Sequence, residues 1–133
     1  QVRPLGRVLY LFGQFPLTPA EFIDHAPRAR IAPPETVSVD YGRYVAQLCT
    51  GCHGGDFAGG IEFGPGIPPS ADLRRRSALA AWSQEDFARA LREGVRPDGR
   101  SLHPMMPIAT TSRFTDTEVA AMWVFLDTVA PGS

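Results

Sequence analysis

Cys49-Thr50-Gly51-Cys52-His53 is the stretch on which the reading of this chain turns. The two thiols are the only cysteines among 133 residues. A framework of structural disulfides is therefore excluded, and three chemistries remain: a redox dithiol, half of a metal site, or covalent attachment of haem c. His53, directly after the second thiol, favours the third. Each thiol can add across a porphyrin vinyl group to make a thioether. Two intervening residues in a helical turn match the spacing of the two vinyls, and the adjacent imidazole then faces the iron. Such an imidazole needs an acceptor for its other ring nitrogen.

The rival readings demand more of the surroundings. A thioredoxin-like dithiol follows a strand in a βαβ unit, whereas the residues before Cys49 read as helix. A structural zinc site needs four ligands. It would have to add the distant His25 or His103 to Cys49, Cys52 and His53.

Upstream of the motif, Tyr41, Tyr44, Val45 and Leu48 fall at helical spacing, which predicts a helix over about 38–48 running straight into Cys49. Downstream lies a glycine-rich loop over 54–60, followed by Gly64-Pro65-Gly66 and Pro68-Pro69. This loop lacks the Lys-Ser/Thr pair of a phosphate cradle, and its glycines suit close passage of backbone along a flat ligand. A short helical piece is expected over about 71–79. Ser83-Gln84-Glu85-Asp86 opens a helix, with Ser83 as N-cap and acids in its first turn, and Gly94 closes it. Arg96-Pro97-Asp98-Gly99 reads as a turn. Thr115-Asp116-Thr117-Glu118 is a capping box opening a last helix with an apolar stripe of Val119, Met122, Trp123, Leu126 and Val129.

Residues 1–37 stand apart as an extension broken by Pro4, Pro16, Pro19, Pro27, Pro33 and Pro34. Within it, Thr18-Pro19-Ala20-Glu21 signals a short helix to about Asp24. The expected organisation is this extension followed by one domain over 38–133. Thirteen Gly and thirteen Pro make the chain loop-rich and short of apolar core, although 44% of it is hydrophobic. A large buried prosthetic group would supply the missing apolar surface. A net charge of -1 gives no basic face for nucleic acid. The longest apolar block, Val8 to Phe12, falls far short of the roughly 20 residues that span a bilayer. Because the chain opens on Gln1 rather than Met, its natural start is expected to have been removed.

From about Val39 to Pro131 the chain resembles class I c-type cytochromes, especially bacterial mono-haem domains. The likeness is carried by several separate stretches. They are Gly42-Arg43-Tyr44 before the motif, Gly64-Pro65 beyond it, Ala90 to Arg100, Met106-Pro107, and Thr115 to Trp123. The resemblance implies an all-α fold of three to five helices wrapped around one covalently bound haem, with a loop-rich N-terminal extension. It implies that Cys49 and Cys52 carry the haem, that His53 is one axial ligand, and that the Pro65 carbonyl accepts the hydrogen bond from His53. Gly42 and Trp123 would meet where the first and last helices cross.

Met105, Met106 and His103 share one loop and compete for the sixth iron position. A thioether raises the potential, whereas His103 would give a lower-potential bis-histidine haem. Family likeness selects Met106, which directly precedes proline, with Met105 as the alternative. Tyr44, Phe87, Leu91 and Leu126 read as core or haem-wall residues. Trp82 and Arg100 could reach a haem propionate, or simply pack and sit in a turn. Arg74-Arg75-Arg76 reads as a solvated face and His25 as a surface residue.

The function implied is one-electron transport in a respiratory or photosynthetic chain, without catalysis by the chain itself. Two alternatives are an electron-entry subunit or domain of a larger membrane oxidoreductase complex, and a haem peroxidase or gas sensor with a labile sixth ligand. Expected partners are redox proteins, donor and acceptor unnamed, with no nucleic acid. The extension offers a route to a membrane anchor or membrane complex. The expected location is the periplasm or the outer face of the bacterial cytoplasmic membrane.

Overall fold

The computed structural model describes residues 31–76 and 79–130, together with Pro4, Val8, Leu11 and Phe12. The backbone forms two compact units, 1–31 and 32–133. In the first, Pro4, Val8 and Leu11 are helical, and the Phe12 amide donates to the Val8 carbonyl at 3.1 Å. The expected helix from Thr18 to Asp24 lies outside the described residues.

The second unit is all-α. Its elements are α1 (Val39–Ala46), a 3₁₀ turn (Gln47–Cys49), α2 (Thr50–His53), α3 (Gln84–Glu93), α4 (Ile108–Thr111) and α5 (Asp116–Thr128). Among the described residues the only extended pairing is a single bridge between Val95 and Ser101. Local chemistry explains the helix starts. Ser38 accepts from the Tyr41 amide at 3.2 Å to open α1. Ser83 and Asp86 exchange side-chain and backbone bonds at both ends to open α3, and Thr115 and Glu118 do the same for α5.

The principal packing is α1 across α5. Gly42 makes it possible, because a Cβ there would fall on the Ala121 carbonyl and within 2.8 Å of Phe125 Cβ. The crossing is as the family likeness implied, but the residues under Gly42 are Ala121 and Phe125. Trp123 faces elsewhere, 5.5 Å from the Phe87 ring and beneath the Arg75 guanidinium at 4.0 Å. Helix α5 is buried on most of its circumference: Ala121 and Phe125 are covered as well as Val119, Met122, Trp123 and Leu126. A narrower stripe was expected because Ala121 is small and Phe125 lies beside the stripe rather than in it.

Two expectations about α1 change. Tyr41 and Val45 are buried, but Tyr44 is 52% exposed and Leu48 72% exposed. The α-helix ends at Ala46 and continues as a 3₁₀ turn. That geometry carries three residues per turn, so Leu48 leaves the buried face. Tyr44 stacks on Tyr41 from the outside, with ring centroids 6.3 Å apart.

The helical piece expected over 71–79 does not form among its described residues. Its backbone is committed elsewhere. The Leu73 amide donates to the Phe57 carbonyl at 2.9 Å, the Arg75 amide to the Leu126 carbonyl at 3.4 Å, and the Ala71 carbonyl faces His53. The arginine run is not a solvated face either. Arg74 grips Asp72 through Nε and a terminal nitrogen at 2.9 and 2.7 Å, and Arg75 lies on Trp123 beside Asp127. Only Arg76 of the three is exposed. The run thus pins an extended segment to α5.

The crossing predicts the effect of Gly42→Ala. Helix propensity would gain about 1 kcal/mol, but the added methyl must push two backbones apart. A net loss of roughly 1–3 kcal/mol is expected, read as a lower denaturant midpoint of the haem-loaded protein. An unchanged or raised midpoint would contradict the close approach.

Candidate functional site

The cysteine motif sits at the end of the α1–3₁₀–α2 rod, with Cys49 half-buried and packed against the core and Cys52 exposed. Burial first, and the neighbouring Cys52 second, push the Cys49 thiol up to about 11. Burial thus works against the thiolate at Cys49, unlike the lowered thiol of a dithiol oxidoreductase. His25, one of the zinc candidates, lies outside the described residues. Among the described residues, no three side chains of His, Cys, Asp or Glu converge to hold a metal ion.

His53 closes α2, and its Nδ1 lies 2.7 Å from the Ala71 carbonyl oxygen. As the donor in this bond, Nδ1 carries the proton, which leaves Nε2 as the coordinating nitrogen. Pro65 does not take this role. It is exposed and lines neither of the cavities described below. The reason lies in the pairing of the loop after His53 with the 70–73 segment. The Gly60 amide donates to the Ser70 carbonyl at 2.8 Å, the Ser70 amide to Ile61 at 3.0 Å, and the Leu73 amide to Phe57 at 2.9 Å. These bonds draw Ala71 under the imidazole and leave Gly64-Pro65 at the turn beyond.

Phe57 anchors this pairing. It is buried against Phe125, edge to face at 5.4 Å, and holds a left-handed backbone at φ 60. That conformation is rare and costly for an aromatic residue, and persists only where packing enforces it. No sequence signal pointed to Phe57 or to Ala71. Ala71 contributes only a backbone carbonyl, which any residue type carries.

Two cavities, of about 430 and 280 Å³, flank His53. They share His53, Ala71, Arg96, Leu102 and Met106, and so adjoin as two lobes around these residues. The smaller lobe contains Cys49 and Cys52 with apolar walls such as Leu48, Phe63 and Phe114. The larger contains Trp82, Phe87 and Leu91 together with Arg96, Asp98 and Arg100. Both lobes are mainly apolar, and each carries polar side chains: Ser70, His103, Thr110 and Thr111 in the one with the cysteines, Asp72, Asp98 and Arg100 in the other.

Met106 lines both lobes, is half-buried and packs on the core, whereas Met105 is 51% exposed and reaches only the smaller lobe. Their loop is held at both ends. The Met106 amide donates to the His103 carbonyl at 2.9 Å, and the Met105 amide to His103 Nδ1 at 3.2 Å. His103 therefore serves as a brace for the loop. Beyond Pro107, α4 is tied down by the buried Thr111 hydroxyl, which donates to the Leu91 carbonyl at 2.6 Å. This short helix had no sequence signature. Leu91, Phe87 and Leu126 are buried as expected. Trp82 is half-buried on the larger lobe, while Arg100 is exposed and paired with Asp98 at 2.6 Å.

The donor set fits a covalently held haem. Two thiols line the smaller lobe, and an oriented imidazole and a thioether line both lobes. In addition, the Arg96 Nε is buried without a hydrogen-bond partner. The Nε atoms of Arg75 and Arg89, which line neither cavity, are unpartnered in the same way.

Comparison with known proteins agrees with this chemistry. The family described as cytochrome c matches residues 39–130. The chain is 34% identical over 98 residues to the cytochrome c subunit of a quinone-type alcohol dehydrogenase from Gluconobacter oxydans, covering 63% of this chain and 20% of that protein. It is 30% identical over 106 residues to the fructose dehydrogenase cytochrome subunit of Gluconobacter japonicus, covering 68% and 21%. It is also 30% identical over 106 residues to the gluconate 2-dehydrogenase cytochrome c subunit of Pantoea cypripedii, covering 70% and 24%. The chain thus spans between a fifth and a quarter of the length of these relatives.

Gly59 tests the imidazole support. A Cβ there would meet the Ala71 carbonyl, with Ser70 O at 2.5 Å, whereas one at Gly60 meets nothing within 4 Å. Both glycines have left-handed φ, 68 and 76, so an alanine costs each a similar backbone strain, about 1–2 kcal/mol. Gly59→Ala should speed exchange of the His53 Nδ1 proton by about tenfold or more, seen by NMR of the reduced holoprotein, and Gly60→Ala should not. Equal effects would dissociate the Ala71 carbonyl from His53.

Proposed function

The chain belongs to the cytochrome c family, and from that membership we propose that it serves as one haem-bearing relay of a larger dehydrogenase complex, its iron held between His53 and Met106. Haem c supplies a one-electron couple at iron. The observation that carries the reading is the single cleft in which His53, braced by Ala71, and the half-buried Met106 line both lobes, while the two cysteines bound one of them.

Each residue has a distinct task. Cys49 and Cys52 fix the position of the haem covalently. The Ala71 carbonyl orients the imidazole and raises its basicity. Met106 provides a soft sulfur that favours reduced iron. With His53 and Met106 both holding the iron, no coordination position would be left for oxygen or peroxide, as suits a carrier rather than a peroxidase or sensor. His53 on α2 and the loop of Met106 are each held by hydrogen bonds, which would limit rearrangement on loss or gain of an electron.

The relay role in a complex is supported by the relatives, each named as the cytochrome part of a dehydrogenase. Electrons would enter from a dehydrogenase partner and leave to a further redox protein. Haem c is attached outside the cytoplasm, so the chain works there. Attachment to the membrane through residues 1–37 is part of the proposal, resting on the apolar clusters of that segment. Among the described residues no helix is long and apolar enough to cross a membrane.

The oxidised holoprotein should show the weak near-infrared band of methionine-ligated haem. Met106→Ala should abolish it and lower the potential, and Met105→Leu should leave both unchanged. Loss of the band in Met105→Leu alone, or ready binding of carbon monoxide to the reduced wild-type protein at neutral pH, would overturn the ligand assignment. Isolation of the native protein as a free monomer, with no dehydrogenase subunit attached, would overturn the relay role.

A further inference from the structure

We propose that the helical stretch marked by Pro4, Val8 and Leu11 lies flat in the headgroup layer of an anionic phospholipid membrane, its apolar face against the acyl chains, without crossing the bilayer. The inference rests on the membrane attachment proposed above for residues 1–37, and it names the residues, the mode and the lipid chemistry of that contact. Three observations carry it.

The first is the face itself. Pro4, Val8 and Leu11 are helical, and the Phe12 amide closes the last turn on the Val8 carbonyl at 3.1 Å. Positions i, i+4, i+7 and i+8 of a helix fall within about 100° of its circumference, so these four apolar residues share one face. That face is turned outward. Val8 is 48% exposed, Leu11 80% and Phe12 75%, and Pro4 is exposed as well. Val45, Leu91 and Phe125, of the same residue types, are buried. A row of large apolar side chains left outside on one helix face marks a site of association.

The second is charge. Residues 1–20 contain Arg3 and Arg7 and no acid, a charge of +2. The whole chain stands at -1, so the remainder carries -3. Positive charge is thus segregated into the stretch that bears the apolar face. An apolar groove on a protein would accept that face without cations beside it. An anionic lipid surface makes use of both, because apolar burial and attraction to the headgroups add.

The third is length. A helix from residue 4 to residue 12 covers about 13 Å, whereas the hydrocarbon core of a bilayer is roughly 30 Å thick. Gly13 and Pro16 interrupt the apolar run in the sequence. Among the described residues no helix is long and apolar enough to cross a membrane. So short a stretch buries its apolar side chains in lipid along its flank, not end to end.

The test uses the full haem-loaded chain and two kinds of vesicle: phosphatidylcholine alone, and phosphatidylcholine mixed equally with phosphatidylglycerol. Binding to the anionic vesicles should be about tenfold tighter or more, and the difference should fall away in high salt. Leu11→Ser should weaken binding to the anionic vesicles by about tenfold or more. Val37→Ser, which removes an apolar side chain 55% exposed elsewhere, should leave it unchanged. Arg3→Gln combined with Arg7→Gln should remove the preference for anionic lipid. In Leu11→Trp the new indole should be quenched by lipids brominated close to the headgroup and spared by those brominated at the chain ends. Leu11 lines neither cavity, so haem absorption and midpoint potential should be the same in Leu11→Ser as in the parent.

Vesicle binding that Leu11→Ser leaves intact would overturn this inference while attachment through another part of residues 1–37 still stands. Failure of the parent chain to bind either vesicle would overturn both. Equal affinity for the two vesicles, or quenching from the bilayer centre, would replace the anionic interface with a neutral one or with a spanning segment. A concentration-dependent dimer that Leu11→Ser abolishes, in place of vesicle binding, would assign the face to a second copy of the chain.

Discussion

The hydrogen bond from His53 Nδ1 to the Ala71 carbonyl joins two segments that have little regular structure of their own. His53 ends a one-turn helix, and Ala71 lies in extended backbone between a proline pair and an arginine run. The bond holds only because each side is fixed elsewhere. On one side, α1 lies against α5 at backbone contact distance over Gly42. On the other, Arg75 is stacked on Trp123 of α5 and its amide is bonded to Leu126. Helix α5 thus supports both partners of the bond while contributing no residue to either cavity lining. The burial of Val119, Ala121, Met122, Trp123, Phe125 and Leu126 follows from that double duty.

The opposite wall of the cleft uses a different solution. Met106 stands in a loop with no helix of its own, between a hairpin and the single turn α4. Polar contacts replace length here: the buried Thr111 hydroxyl on the Leu91 carbonyl, the Leu102 amide on Gly94 at 2.6 Å, and the exposed His103 brace. Such bonds contribute about 1 kcal/mol each in net terms. Their larger effect is geometric, since each removes a direction in which the loop could swing.

The legible parts of this fold and site were those encoded over a few neighbouring residues. The motif at Cys49 to His53, the Ser83 and Thr115 caps and the apolar stripe of α5 all declare themselves within one or two helical turns. What escaped depends on contacts between distant segments. The acceptor for His53 is a backbone atom 18 residues away, and no residue type marks a carbonyl. Gly64-Pro65 attracted that role through family likeness, yet the pairing of 57–61 with 70–73 places Ala71 there. Leu48 followed the helical period, but the 3₁₀ turn broke the phase, whereas Tyr44 lies within α1 and stacks on Tyr41 from the outside. Arg96 looked like an ordinary turn arginine. Its inward course is set by the hairpin closing behind it, a feature without hydrophobic periodicity.

The placement of the motif also governs when the site can be completed. Both thiols and His53 belong to one contiguous rod that begins at Val39, so they can meet a porphyrin while the rest of the chain is still unfolded. Ala71, Arg96 and Met106 arrive only after successively longer loops close, and each closure carries its own entropic toll. Capture is therefore a local event and enclosure a global one. A chain interrupted before α5 would hold its pigment by two sulfurs alone, tethered but not yet tuned.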